Sequence, residues 1–170
     1  MAFDARAVAN YFLDLAAKEG RPLDPMGIQK LVYFAHGWNL AIFGAPLIQQ
    51  RVEAWDYGPV IVDIYQAFRE FGRNPITHHA RKFEFNPITG SVSESTPAIG
   101  ESEETKSTRE LLDRVWESNK HLTSIQLSNL THLPGSPWTI SREQGKREID
   151  DSLIREYTEA HAREDAVPVG

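Results

Sequence analysis

Between Asp24 and Pro46 runs a helix signal with both ends marked. Asp24 supplies a side-chain acceptor for an otherwise unpaired N–H of the first turn, Pro25 suits the first helical position, and Gly44 followed by Pro46 ends the run. Inside it Ile28, Leu31, Val32, Ala35 and Ile42 form one apolar stripe, and Phe34, Trp38 and Phe43 carry apolar character around the cylinder. A helix apolar on most of its faces has to be enclosed by other elements. The segment therefore predicts a mainly helical fold with residues 24–44 at its centre.

Amphipathic partners for this helix are present on both sides. Val8, Tyr11, Phe12 and Leu15 recur at helical spacing until Gly20 and Pro22, which predicts a helix over about residues 4–18. After an extended stretch over 47–57, a third helix is expected to begin near Pro59, with Val60, Ile61, Ile64, Tyr65 and Phe68 as its buried stripe and Gly72 as its stop. Arg81 to Phe85 alternates in polarity, Asn86-Pro87-Ile88-Thr89-Gly90 has turn chemistry, and Ser91 to Ser95 returns, predicting a small peripheral β-hairpin. Ser91–Thr108, rich in Ser, Thr and Glu, is the best candidate for a mobile loop. Helical periodicity then resumes at Leu111, Leu112, Val115 and Trp116, with later helices opening at Ser124, at Ser136-Pro137 and at Asp150. No internal repeat is visible. The expectation is a compact single domain over residues 1–161 and a frayed tail over 162–170.

Size and composition narrow the function classes. A chain of 170 residues without cysteine is large enough to build a core unaided, and it has neither disulfides nor thiolate chemistry. No apolar run approaches the roughly 18 to 20 residues needed to span a bilayer, and the N-terminus does not read as a secretory signal, so a cytoplasmic protein is expected. The net charge is −6, with 9 basic and 9 acidic groups in residues 1–85 against 9 and 15 in residues 86–170. With no clustered Lys and Arg, binding of nucleic acid by this chain alone is not expected. An acidic second half is either a solvated surface or a guide for a basic partner.

Candidate chemistry is sparse. The six histidines show no metal-ligand spacing and read as solvated loop residues. Ser128 or Ser136 with His132 as base would be the parts of a hydrolase, but neither serine lies in Gly-x-Ser-x-Gly, and Ser136 before Pro137 is better explained as a helix cap. Asp150 and Asp151 read as helix-start residues. Gly135 and Gly145 are isolated, so no phosphate-cradling loop is formed, and no cofactor or metal is expected.

Two tryptophan-centred islands stand out, Glu53-Ala54-Trp55-Asp56-Tyr57-Gly58-Pro59-Val60 and Leu127 to Trp138. Trp55, Tyr57 and Trp138 are either core aromatics at element junctions or the wall of a partner pocket, since Trp and Tyr combine apolar area with a hydrogen-bonding tip. His132 joins them as a further partner-binding candidate. Glu53 and Asp56 beside Trp55 either add charge selectivity or are solvent-exposed or local cap residues.

In order and spacing, Ile28-Gln29-Lys30-Leu31-Val32-Tyr33-Phe34-Ala35, Trp38, Pro46-Leu47, the first island, Tyr65, Phe68 and Gly72, followed by Leu127-Ser128, Thr131-His132 and Ser136-Pro137-Trp138, resemble the Panacea domain. This SocA-like antitoxin domain is often found among phage-associated proteins, and the resemblance covers about residues 5–145. It implies a compact, mostly helical antitoxin that neutralises a cognate toxin protein by direct binding. It also implies an alternative role as a proteolytic adaptor that delivers the toxin to a cytoplasmic ATP-dependent protease. The family has no established catalytic set, so the resemblance implies a protein that is not an enzyme. The segment 73–106, with the hairpin and the acidic loop, is where the family varies.

Overall fold

The computed structural model describes the backbone of residues 1–165 and the side chains through residue 162. The central helix of the sequence reading is α2 (Pro25–Phe43), which follows α1 (Ala5–Glu19). Asp24 caps α2 by accepting the Gly27 N–H at 2.8 Å, and Gly44 closes it in the left-handed conformation with φ 67°. Two short strands follow, β1 (Val52–Trp55) and β2 (Gly58–Val60), then α3 (Val62–Phe68) and the hairpin β3 (Lys82–Phe85) and β4 (Val92–Ser95). The second half contains α4 (Lys106–Asn119), α5 (Ser124–Thr131), α6 (Pro137–Glu143), β5 (Glu148–Ile149) and α7 (Asp151–Asp165).

Helices α1, α4, α5 and α7 pack around α2. The cluster they enclose includes Phe12, Ile28, Leu31, Val32, Phe68, Leu112, Trp116 and Ile154, all at most 2% exposed. Close approach of α7 depends on Gly37, where a Cβ would stand 2.8 Å from Thr158 Oγ1. The C-terminal turn of α2 leaves this enclosure. Ile42 and Phe43, assigned by periodicity to the buried faces, are 56% and 51% exposed.

His36 departs from the sequence reading of solvated loop histidines. It lies inside α2 at 1% exposure. The Leu47 N–H donates to Nδ1 at 3.3 Å, so the proton sits on Nε2, which donates to Asp151 at 2.8 Å. One ring thus ties the central helix to the chain before β1 and to the start of α7.

The three-stranded sheet has the order β2-β1-β5, antiparallel throughout, with Trp55 opposite Gly58 and Val52 opposite Ile149. The third helix therefore starts at Val62 rather than near Pro59. Gly58-Pro59-Val60 pairs with β1, and a proline that cannot donate to a ladder is tolerated on this edge strand. The small hairpin appears where expected, joined by Asn86–Ser91 and exposed at almost every position.

The segment expected to be a mobile loop is anchored. Asn10, buried in α1, donates to the carbonyls of Ala80 and Pro97 at 3.0 and 2.9 Å and accepts the Ala80 N–H at 2.7 Å. Ile99 and Thr105 are buried, and Thr105 Oγ1 donates to the Gly100 carbonyl at 2.5 Å. Composition signalled mobility, but Asn10 holds the Pro97 carbonyl and Thr105 bonds backbone groups of Gly100 and Ser102. Helix α7 runs through Asp165, and the rest of the tail expected to fray, residues 166–170, lies outside the described part. Among the described residues no helix is long and apolar enough to cross a membrane.

Candidate functional site: an aromatic pocket at the edge strand

The first tryptophan island folds as a tight hairpin because β1 and β2 are joined by Asp56 and Tyr57 alone. This two-residue connection leaves Tyr57 at the tip, 86% exposed. Trp55 is half-buried. Its indole N–H donates to Glu53 two residues back on the same face of β1 at 2.6 Å, and its ring meets Tyr65 of α3 edge-on at 4.9 Å.

The outer edge of β2 is sealed by the side chains of α2. Gln29 donates to the Ile61 carbonyl and accepts the Ile61 N–H, both at 3.0 Å, and Lys30 Nζ donates to the Pro59 carbonyl at 2.9 Å. An exposed strand edge templates unwanted pairing. Here two adjacent helix residues occupy the backbone groups that another strand would use. The arrangement requires Gly58, whose φ of 120° suits glycine and whose hypothetical Cβ would lie 2.9 Å from Lys30 Nζ and 3.2 Å from Thr131 Oγ1. Lys30 is 3% exposed. Burial pulls its ammonium down from 10.5 to about 8.

Between the hairpin and the first turns of α2 opens a pocket of about 650 Å³. Trp55, Tyr57, Tyr65 and Met26 give it an aromatic and apolar wall, and Lys30, Arg142, Arg147 and Asp56 bring charge. The expected charge selectivity of Glu53 and Asp56 is largely neutralised: Arg147 faces Glu53 at 3.6 Å and Arg142 pairs with Asp56 at 2.8 Å.

The second island braces this structure from behind. Trp138 in α6 donates its indole N–H to the Trp55 carbonyl at 2.7 Å, Arg142 reaches the Ala54 carbonyl at 3.3 Å, and the Arg142 guanidinium lies 5.9 Å from the Trp138 ring. His132 packs on Trp138 with ring centroids 4.3 Å apart and donates from Nδ1 to the Ser128 carbonyl at 2.7 Å. Of the four partner-binding candidates, Trp55 and Tyr57 line the pocket, whereas His132 and Trp138 support the strand behind it.

The parts of the hydrolase reading are not assembled into one. Ser136 is 1% exposed, donates to the Thr131 carbonyl at 2.8 Å and caps α6 by accepting the Thr139 N–H at 3.2 Å. His132 donates from Nδ1 to the Ser128 carbonyl, and among the described residues its ring makes no hydrogen bond to the hydroxyl of Ser128 or Ser136. Among the described residues no group of three or more His, Asp or Glu gathers as a metal site would require. Spacing and composition alone do not assign Lys30, Tyr65 and Arg142 to a site. The one available signal was Lys30 itself, a charge inside the most apolar helix.

Fold and site together define a mainly helical protein with a small sheet, whose aromatic concavity lies against the edge strand. Residues 28–139 match the family described as Antitoxin SocA-like, Panacea domain. The chain is also 34% identical over 137 residues to Antitoxin SocA of Caulobacter vibrioides (strain NA1000 / CB15N), covering 81% of this chain and 69% of that protein. The chain belongs to the SocA-like antitoxin family. No solved structure matches it.

Proposed function

We propose that this chain, with residues 1–161 acting as one domain, is the antitoxin of a toxin–antitoxin system and neutralises its toxin in the cytoplasm by direct, non-enzymatic binding. Family membership supports the class of function. The observation that carries the binding mode is Tyr57, held 86% exposed beside a pocket walled by Trp55 and Tyr65. Rigid aromatics next to a concavity are the usual anchors of protein interfaces. Nanomolar neutralisation needs about 12 kcal/mol of net binding free energy, more than one side chain delivers, so the toxin covers the pocket and its surroundings.

Co-expression with the product of the neighbouring gene tests the reading. Restored growth and co-purification of the two chains are expected; toxicity without rescue, and no complex, would refute it.

A second reading, delivery of the toxin to an ATP-dependent protease, is favoured by one observation. The β3–β4 hairpin exposes Phe83, Phe85, Ile88 and Val92 by 64 to 93%, an apolar surface that shares no residue with the pocket. A tether needs two such surfaces. In cells, Phe83→Ser/Phe85→Ser would leave toxin binding intact but lengthen toxin half-life. Unchanged turnover excludes the hairpin as the second contact.

A further inference from the structure

Lys30 carries more charge than its structural task requires. Gln29, the adjacent residue, satisfies both backbone groups of Ile61 with a neutral amide. A neutral donor at position 30 would serve the Pro59 carbonyl in the same way. Instead an ammonium with three N–H donors is buried to 3% exposure and, among the described residues, makes one hydrogen bond, to Pro59. Among the described residues no carboxylate stands within 4.0 Å of it, while the two arginines of the same pocket are committed to Asp56 and Glu53. A buried charge without a counter-ion is costly. In a chain of net charge −6, Lys30 lines this pocket beside three aromatic rings with no described carboxylate to neutralise it.

We infer that the pocket receives an acidic segment of the toxin, with a carboxylate answering Lys30 and a neighbouring aromatic or long apolar side chain lying against Trp55, Tyr57 and Tyr65. The inference rests on the antitoxin reading and specifies its partner's chemistry. It reverses what net charge suggests, because the anchor is anionic although the chain as a whole favours a basic partner. Lysine suits the role better than arginine, since rotation of its four-carbon stem turns the ammonium from Pro59 towards the pocket while α2 stays in place. A toxin segment seated on Trp55, Tyr57 and Tyr65 displaces water from the pocket, which strengthens the ion pair once formed.

The full chain is titrated with 3-phenylpropionate and, separately, with its neutral isostere 3-phenylpropionamide, following the Trp55 indole N–H and the Tyr57 amide by NMR. Millimolar binding of the carboxylate at these signals is expected, with the amide at least tenfold weaker. Equal affinities, or shifts confined to other regions, overturn the inference from the wild-type protein alone. In Lys30→Met the preference for the carboxylate disappears, and toxin capture weakens at least tenfold. If the toxin co-purifies with wild type and with a folded Lys30→Met equally well, the acidic anchor is wrong and the antitoxin reading stands. If no toxin binds the wild type, the antitoxin reading fails whatever the small molecules do.

Discussion

The indole N–H of Trp138 lies 2.7 Å from the carbonyl oxygen of Trp55, a hydrogen bond that spans 83 residues of sequence and fixes α6 against β1. The two tryptophans serve different ends of one structure: Trp138 holds the strand, and Trp55 presents the strand's ring to the pocket. Trp138→Phe keeps most of the ring but leaves the Trp55 carbonyl without this donor. A loss of about 1 to 2 kcal/mol in urea-unfolding free energy is expected, with an unchanged denaturant slope. A stability equal to wild type would show that the contact contributes nothing.

Tyr57 sits at the opposite extreme. With its ring exposed at the hairpin tip, Tyr57→Ala is expected to alter unfolding free energy by no more than about 0.5 kcal/mol. Toxin affinity, measured by calorimetry, falls at least tenfold, or about 1.4 kcal/mol. An undiminished affinity removes Tyr57 from the interface.

Gly58 is the position where side-chain space and backbone conformation both run out. Alanine there combines a φ of 120° with a Cβ 2.9 Å from Lys30 Nζ. Destabilisation on the order of 2 to 4 kcal/mol is expected. Combining it with Lys30→Ala recovers the part due to the contact with Lys30 and not the part due to the backbone, so a double-mutant cycle isolates that contact.

The Lys30 ammonium gives stability a defined pH dependence. Its folded pKa, about 8, lies below the ordinary 10.5, so between these values the unfolded chain binds more protons and stability rises with pH. Below about 8 both states are charged and the burial cost is constant. Measured against Lys30→Met, which lacks the group, wild-type stability should be flat from pH 6 to 7. It should then climb by up to about 3 kcal/mol towards pH 10.5. A constant difference across the range would place the ammonium in a solvated environment.

Much of the architecture was legible along the chain. Asp24, Pro25 and Gly44 mark the ends of α2 by local hydrogen bonding and φ preference, so they read the same in any context. Ser136 was identified as a cap on the same grounds. Gly58-Pro59 misled because turn residues precede helices and end hairpins alike, and pairing with β1 decided between them. The two-residue strand β5 left no pattern to read. His36 looked like the other histidines until Leu47 and Asp151 were brought to its two nitrogens.

The sequence by itself determined that the chain is mainly helical, that α2 is central and that Trp55 and Tyr57 stand at an element junction, because caps, periodicity and turn chemistry act over a few residues. Only the tertiary structure decided that Lys30 is buried with no counter-ion among the described residues, that Trp138 supports the strand behind the pocket, and that Trp55, Tyr57 and Tyr65 share one pocket. Those properties arise from contacts between residues far apart in the chain, where burial and dielectric environment, rather than residue type, set what a side chain does.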